Sequence, residues 1–532
     1  MATKVPAPPA DFNFARHIIE RNAGRAERVA FIDDREVLSY GEFSERVRRF
    51  GSALHQLDLR REERVLLVLQ DSVDWPVAFL GALYAGVVPV AVNTLLTLDD
   101  YAFLLEHSGA KAVIVSAALL ATLRAAMAQG RHDARRLIVS GETRAPGSDA
   151  LAFADALAFA DVLAAGSADY AGQRTHADAT AFWLYSSGST GRPKGVLHTH
   201  ANLYWTAELY ARPVLGLSES DRVFSAAKLF FAYGLGNGLS FPLSVGASAI
   251  LMAERPTPEA IFKRLLDHQP SVFCCAPTGY AGMLASAELP ARTAVSLRLC
   301  SSAGEALPRE LGDRFTAHYG CEIIDGIGST EMLHIYLSNR PGAVRYGTTG
   351  TAVPGYELAL RDEDGRAVGI GEIGDLYVKG PSAALMYWND CARSRASFQG
   401  EWMKTGDKYS CDADGFYTYA GRNDDMLKIS GQYVSPFEVE GMLIRHPQVL
   451  EAAVIGEIGA DGIVKSRAFV VLKAGAQAGP SLAAELQAFV KERLAPHKRP
   501  QQIEFMADLP KTTTGKIQRF RLRELAQLAV KA

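Results

Sequence analysis

The chain has 532 residues, 48% of them hydrophobic, which is ample for a large buried core and too long for one ordinary domain. A formal net charge of −3 forces no basic face, which argues against a nucleic-acid partner. None of the six cysteines stands in a C-x-x-C or zinc spacing, so they read as reduced thiols of a cytosolic protein and not as a disulfide framework or metal site.

The N-terminal stretch has no continuous apolar run of the signal-peptide kind, and the chain does not end in the peroxisomal S-K-L address. Val65–Leu69 (VLLVL) reads as the first core strand. Trp75–Val92 holds 18 uncharged residues, enough to suggest a membrane span. Pro76, Pro89, Gly81 and Gly86 predict instead a buried helix, a glycine turn and a core strand. Further strands are expected at Ala112–Val115, Leu137–Val139, Ala249–Leu251 and Val272–Cys275, with helices such as Glu259–Leu266 and Arg309–His318 between them. This alternation predicts an α/β architecture with largely parallel sheets. Residues 142–176 interrupt it. There Ala-Leu-Ala-Phe-Ala-Asp occurs twice in succession, at Ala150–Asp155 and Ala156–Asp161, with a period that fits neither helix nor heptad. It reads as a local duplication in a surface helix or loop at a join between subdomains.

Between the apolar run Ala181–Leu184 and the strand expected at Val196-Leu197-His198 lies Tyr185-Ser186-Ser187-Gly188-Ser189-Thr190-Gly191-Arg192-Pro193-Lys194-Gly195. A loop so dense in backbone N–H and hydroxyl donors wraps polyphosphate oxygens, and Lys194 adds a point charge. It is not a Walker A loop, because Pro193 precedes the lysine and Gly195 follows it. Lys228–Asn237 (KLFFAYGLGN) mixes aromatic and small residues, which suits a compact flat ring. On a strand, Phe230 and Phe231 would point to opposite faces, so at least one is a core residue. His334 reads equally as a pocket residue or a hydrogen-bonded core histidine.

Ser302-Ala303-Gly304-Glu305-Ala306 offers the small residues a stacked purine requires, or simply a strand-to-turn transition. In Asp325-Gly326-Ile327-Gly328-Ser329-Thr330-Glu331 a Gly-rich backbone admits a flat ring, and a carboxylate beside a hydroxyl can hold Mg²⁺ near phosphates. The carboxylate of Thr405-Gly406-Asp407 can accept from two vicinal hydroxyls. The strand expected at Phe416–Ala420 ends in Gly421 and the polar run Arg422-Asn423-Asp424-Asp425, a hinge between domains 1–423 and 424–532. The last part reads as a small α+β domain and carries Pro510-Lys511-Thr512-Thr513-Thr514-Gly515-Lys516.

Taken in order from about residue 40 to residue 520, the loop YSSGSTGRPKGV and the motifs after it resemble the adenylate-forming superfamily of acyl-CoA synthetases, peptide-synthetase adenylation domains and beetle luciferases. The resemblance implies a large N-terminal domain of two α/β subdomains plus a β-barrel-like subdomain, joined by a hinge to a small α+β C-terminal domain. It implies ATP, Mg²⁺ and coenzyme A, with Ser186, Ser187, Gly188, Ser189, Thr190, Gly191, Lys194, Gly304, Glu305, Ala306, Asp325, Gly326 and Ser329 as nucleotide contacts. Asp407 and Arg422 match the ribose motif, Thr330 and Glu331 the α-phosphate and metal positions, and Lys516 the adenylation lysine. Asp424 matches the hinge and Gly431 the pantetheine tunnel. The acid pocket implied is Phe231, Ala232, Tyr233, Gly234, Ala303, Ile327, Gly328, His334 and Ile335. These segments look most like benzoate–CoA ligases. The expected reaction is AMP-forming ligation of benzoate or a close analogue to coenzyme A. A cinnamate-like or medium-chain fatty acid is the alternative, and an oxygenase of the luciferase branch or an inactive nucleotide sensor are the rivals. Partners are small molecules only, with no nucleic acid and no membrane, and a homodimer is left open.

Overall fold

Arg64–Val68 is a strand because it is apolar after its first residue and buried on both faces, as parallel sheets covered by helices require. It pairs in parallel with Val88–Ala91 on one side and Ala112–Ser116 on the other. Outward from these run Arg136–Ser140 and Leu157–Ala158 at one edge, and Thr180–Ser186, Lys194–Thr199 and Met386–Tyr387 at the other, the last two joined antiparallel. The result is an eight-stranded sheet. The computed structural model describes residues 5–141, 156–186, 192–422, 425–429, 432–458, 464–495, 498–511 and 517–531.

Trp75–Val92 divides as expected, into the helix Asp74–Tyr84, Gly86 at φ +70° and the strand Val88–Ala91. Gly81, however, lies inside the helix and does not break it. A Cβ there would lie 2.8 Å from Phe50 Cδ1, so the glycine lets helix Tyr40–Gln56 pack close. Among the described residues no helix is long and apolar enough to cross a membrane. The second copy of the six-residue repeat takes the helix alternative, near the surface and beginning from an edge strand. It contributes the strand Leu157–Ala158 and opens the helix Phe159–Ala165. Phe159 is 3% exposed and stacks on Phe50 at 4.9 Å, so this helix buries one aromatic face while Ala160 and Asp161 stay exposed. The first copy lies outside the described residues.

A second sheet has nine strands in the order 351–352, 335–338, 323–328, 299–302, 272–275, 222–225, 248–250, 29–32, 37–39. Its middle, from 29–32 to 323–328, is parallel. A third, five-stranded sheet contains the antiparallel hairpin Trp402–Cys411 with Tyr417–Arg422. The chain clusters into two units: residues 1–346, 350–357 and 378–403, and residues 347–349, 358–377 and 404–532.

In the second unit Val449–Ile458 pairs antiparallel with Val464–Leu472, which pairs in parallel with Gln502–Met506. Helices Pro436–Ile444 and Pro480–Lys491 pack on this sheet through Val439, Leu443, Leu482, Leu486 and Val490. Buried Arg519 pairs with buried Glu440 at 2.8 Å, and Glu440 also accepts the Val454 amide at 2.7 Å. All six cysteines are free thiols.

Candidate active site

Three stretches of the first unit meet at one place. The strand Lys194–Thr199 leaves the Ser/Gly-rich loop with Lys194 as its first residue. The turn Ser329–Leu333 follows the strand Ile323–Gly328. Ser329 Oγ accepts the Met332 amide at 3.1 Å, and Leu333 closes the turn in the left-handed region, at φ +64°. The third stretch is Ser382–Trp388, whose Met386 and Tyr387 pair with Leu197 and Val196.

Hydrogen bonds fasten the turn to both neighbours. Ala384 N donates to the Glu331 carbonyl at 2.7 Å, and Ser382 Oγ to the Met332 carbonyl at 2.8 Å. His198 Nε2 donates to the Thr330 carbonyl at 2.8 Å, while Asn202 Nδ2 serves His198 Nδ1 at 2.9 Å and lies 3.2 Å from the Ala383 carbonyl. Burial pushes the His198 imidazole down to about 4, so the ring is neutral and uses one nitrogen as donor and the other as acceptor.

This arrangement sets Lys194 Nζ 3.5 Å from Glu331 Oε1, which also accepts the Tyr387 hydroxyl at 2.8 Å. The ammonium lies 4.6 Å from the centre of the Tyr387 ring. A cation and a carboxylate, both mostly buried, thus stand at the mouth of the loop. Among the described residues no group of three or more His, Cys, Asp or Glu side chains could hold a metal alone. A cation at Glu331 would take its remaining ligands from polyphosphate oxygens and water, which is how Mg²⁺ binds beside nucleotides.

Other predicted contacts lie at the carboxyl ends of the strands, where open α/β sheets bind ligands. Buried Asp325 has its carboxyl held well above the usual range by burial, against the opposing amides of Leu307 and Gly326. Its Oδ1, together with Ser302 Oγ and Ser186 Oγ, is buried without a partner among the described residues. Orphaned polar atoms of this kind fit a ligand bearing its own donors and acceptors. Ala303 is buried, Gly304 turns the chain at φ +97°, Glu305 is half-buried and Ala306 is exposed. Ser187, Gly188, Ser189, Thr190, Gly191, Asp424, Gly431 and Lys516 lie outside the described residues.

In the expected acid wall, Tyr233 and His334 stack at 5.6 Å, and His334 Nε2 lies 3.3 Å from the Tyr233 carbonyl. Burial pushes His334 down to about 3, so it is neutral. The Tyr233 hydroxyl donates to Ser301 Oγ at 3.0 Å. Phe231 and Ala232 are half-buried against the main core, Ile335 is buried, and Ile327 and Gly328 are half-buried. A Cβ on Gly328 would lie 2.4 Å from the His334 carbonyl, and one on Gly326 2.9 Å from Ile335 Cγ2. Lys228–Asn237 does not form the strand the sequence suggests. Phe231 stays extended at φ −97°, ψ 145°, then the chain turns into the helix Ala232–Leu235. A Cβ on Gly234 would lie 2.0 Å from the Lys228 carbonyl, an approach only glycine permits.

In the second unit, Asp407 faces Arg422 directly across the hairpin, Nη1 to Oδ1 3.3 Å. Gly406 at φ +79° precedes Asp407, and the Asp407 amide donates to Thr405 Oγ1 at 3.0 Å. The carboxylate and guanidinium therefore lie side by side on one rung of the hairpin.

Sequence reasoning missed His198, Asn202 and Tyr387. For the first two a signal existed: His198, Thr199 and Asn202 are polar side chains in a segment otherwise apolar enough to be buried, and buried polar groups need partners. Nothing near Tyr387 announces its role.

Residues 19–388 match the family described as AMP-binding enzyme, and residues 438–516 match the AMP-binding enzyme C-terminal domain. The chain is 53% identical to a benzoate–CoA ligase of Thauera aromatica, over 97% of this chain and 96% of that protein. It is 45% identical to a 4-hydroxybenzoate–CoA/benzoate–CoA ligase of Rhodopseudomonas palustris, over 99% and 96%. Its fold superposes on the crystal structure of a benzoate CoA ligase from Burkholderia xenovorans LB400 with a TM-score of 0.89 and 60% identity, covering 96% of this chain and 100% of that one.

Proposed function

Because this chain belongs to the AMP-binding enzyme family, we propose that it joins benzoate or a close analogue to coenzyme A in an ATP-dependent, AMP-forming reaction through an acyl-adenylate. The observation that carries this reading is the Lys194–Glu331 pair at the mouth of the Ser/Gly-rich loop, in a chain 53% identical to a benzoate–CoA ligase.

A carboxylate is a poor acyl donor because its leaving group would be oxide. In the first step its oxygen attacks the α-phosphorus of ATP and pyrophosphate departs. Catalysis is then positioning and charge neutralisation rather than covalent chemistry. Lys194 and the loop Ser186–Gly191 hold the polyphosphate. Thr330 stands at the α-phosphate, and Glu331 holds the Mg²⁺, which supplies further neutralisation of the phosphate charge. Asp325 and Ser329, with Gly304, Glu305, Ala306 and Gly326, surround the base, and Asp407 with Arg422 takes the ribose. Lys516 supplies the charge that offsets the developing negative charge on carboxylate and phosphate. In the second step the coenzyme A thiolate attacks the acyl carbonyl and AMP leaves. Asp424 is assigned as the hinge between domains 1–423 and 424–532, and Gly431 as the residue lining the pantetheine path.

The aromatic acid rests against Phe231, Ala232, Tyr233, Gly234, Ala303, Ile327, Gly328, His334 and Ile335. The stacked Tyr233–His334 pair and the filled space at Gly234 leave a wall suited to a flat ring rather than a long chain. A dependence on ATP and coenzyme A, both intracellular metabolites, supports a cytoplasmic location. Incubation with ATP, Mg²⁺, coenzyme A and benzoate, hexanoate or 4-coumarate tests the reading. Rapid AMP and thioester formation with benzoate alone is expected. AMP formation with hexanoate or coumarate but not benzoate would discard the pocket, and no AMP with any acid would discard the reaction.

A further inference from the structure

Tyr387 is the member of the Lys194–Glu331 cluster that no nucleotide or acid contact accounts for. It is 3% exposed, its ring packs on Phe398 at 5.5 Å, and its amide donates to Ser394 Oγ at 3.0 Å. Ser397 Oγ lies 3.4 Å from its hydroxyl. Pairing with Val196 sets its height against the strand that begins at Lys194. The side chain is therefore held from several directions, and its two chemically distinct parts address two different charges.

The hydroxyl donates to Glu331 Oε1 at 2.8 Å, and the ring face lies 4.6 Å from Lys194 Nζ. A phenol is a neutral donor. It orients a carboxylate without cancelling the charge that a divalent cation requires, as an arginine in its place would. A ring face attracts an ammonium weakly enough to release it when phosphate oxygens compete.

We propose that Tyr387 is a positioning residue for adenylation: its hydroxyl fixes Glu331 through one oxygen and leaves the other for Mg²⁺, while its ring keeps the Lys194 ammonium beside that carboxylate until polyphosphate draws it away. The inference rests on the reading of Glu331 as the Mg²⁺ ligand and Lys194 as a phosphate contact. Without nucleotide, the lysine balances the carboxylate. When ATP and Mg²⁺ arrive, the lysine exchanges the carboxylate for phosphate oxygens, and the hydroxyl remains to hold Glu331.

The test compares Tyr387→Phe, which keeps the ring and loses the hydroxyl, with Tyr387→Leu, which loses both. In Tyr387→Phe the Mg²⁺ concentration at half-maximal AMP formation with benzoate rises about tenfold, the scale of one hydrogen bond to a charged group, and saturating Mg²⁺ restores most of the rate. Calorimetric binding of AMP without Mg²⁺ is unchanged. Tyr387→Leu also weakens calorimetric binding of ATP in EDTA, because Lys194 has lost its ring. An unchanged Mg²⁺ requirement in Tyr387→Phe overturns the role of the hydroxyl, and lost AMP binding in that variant makes Tyr387 merely structural and overturns the proposal. Glu331→Gln separates the two levels. If it too leaves the Mg²⁺ requirement unchanged, the metal reading of the site fails; if it raises the requirement while Tyr387→Phe does not, only the positioning role falls.

Discussion

His198 Nε2 donates to the Thr330 carbonyl across 2.8 Å, linking residues 132 apart in the chain. The strand that begins at Lys194 is thereby tied to the turn that carries Thr330 and Glu331, so the two sides of the candidate site share one anchor. Asn202 completes the anchor from the far side of the ring.

Replacing His198 by Ala takes the imidazole donor from the Thr330 carbonyl and one acceptor from the Asn202 amide, which keeps its bond to the Ala383 carbonyl; an unsatisfied buried group of this kind is worth about 1–3 kcal/mol. The turn then loses its register against Lys194. Benzoate-dependent exchange of pyrophosphate into ATP is expected to slow by about 10- to 100-fold, on the same scale. An exchange rate equal to wild type would show that the anchor does not position the turn.

His200 is also fully buried, and its Nδ1 accepts the Phe14 amide at 3.3 Å. Burial lowers it to about 3, against an ordinary value of 6.5. Below pH 6.5 the unfolded chain binds a proton here that the folded chain refuses, so this group's contribution to stability is intact above 6.5 and is lost as pH falls toward 3. In His200→Asn the slope of unfolding free energy against pH, between about 4 and 6, should be shallower than wild type by about 1.4 kcal/mol per pH unit, one proton's worth. Urea titrations across that range measure it, and parallel slopes for the two proteins would contradict the neutral buried assignment.

Within the second unit, Arg519 meets Glu440 at 2.8 Å with both side chains buried, and lies 4.3 Å above the Phe437 ring. Arg519→Ala strands a buried carboxylate. A loss of roughly 3–5 kcal/mol is expected for breaking one side of such a pair. Chemical denaturation of the full chain reads it; a loss below about 1 kcal/mol would mean the pair behaves as an exposed one.

Asp407 and Arg422 oppose each other across one hairpin rung. A carboxylate accepts from both ribose hydroxyls, whereas the amide of Asp407→Asn presents only one accepting oxygen. The KM for ATP should rise about tenfold, and the preference for ATP over 2′-deoxy-ATP should shrink with it. A variant that keeps its full preference for ATP would exclude Asp407 as the ribose contact.

The sequence predicts best where one physical cause acts alone. A strand buried on both faces needs a plain apolar run, and Val272–Cys275 is found residue for residue. Trp75–Val92 divides where Gly86 requires it. Lys228–Asn237 defeats the same reasoning, because its conformation is set by a close approach of Gly234 to the Lys228 carbonyl, a contact that periodicity does not encode. At Ala156–Asp161 the surface helix that the sequence allows does open at Phe159, but the face it buries is set by Phe50, more than a hundred residues earlier. In the candidate site, Lys194 and Glu331 stand in motifs with recognisable chemistry. His198 and Tyr387 act through partners 132 and 56 residues away, and no local pattern reports such pairs.

Three of the bonds that fasten the Glu331 turn end on main-chain carbonyls, those of Thr330, Glu331 and Met332. A carbonyl is present whichever amino acid stands at the position. The side chains of Ala383, Leu385 and Met386 take no part in these bonds, whereas those of Ser382, His198 and Asn202 do, and Ala384 is buried against Val196 and Tyr387. For an engineer it follows that Ala383, Leu385 and Met386 are better diversified with Ser382, His198, Asn202 and the buried Ala384 held constant.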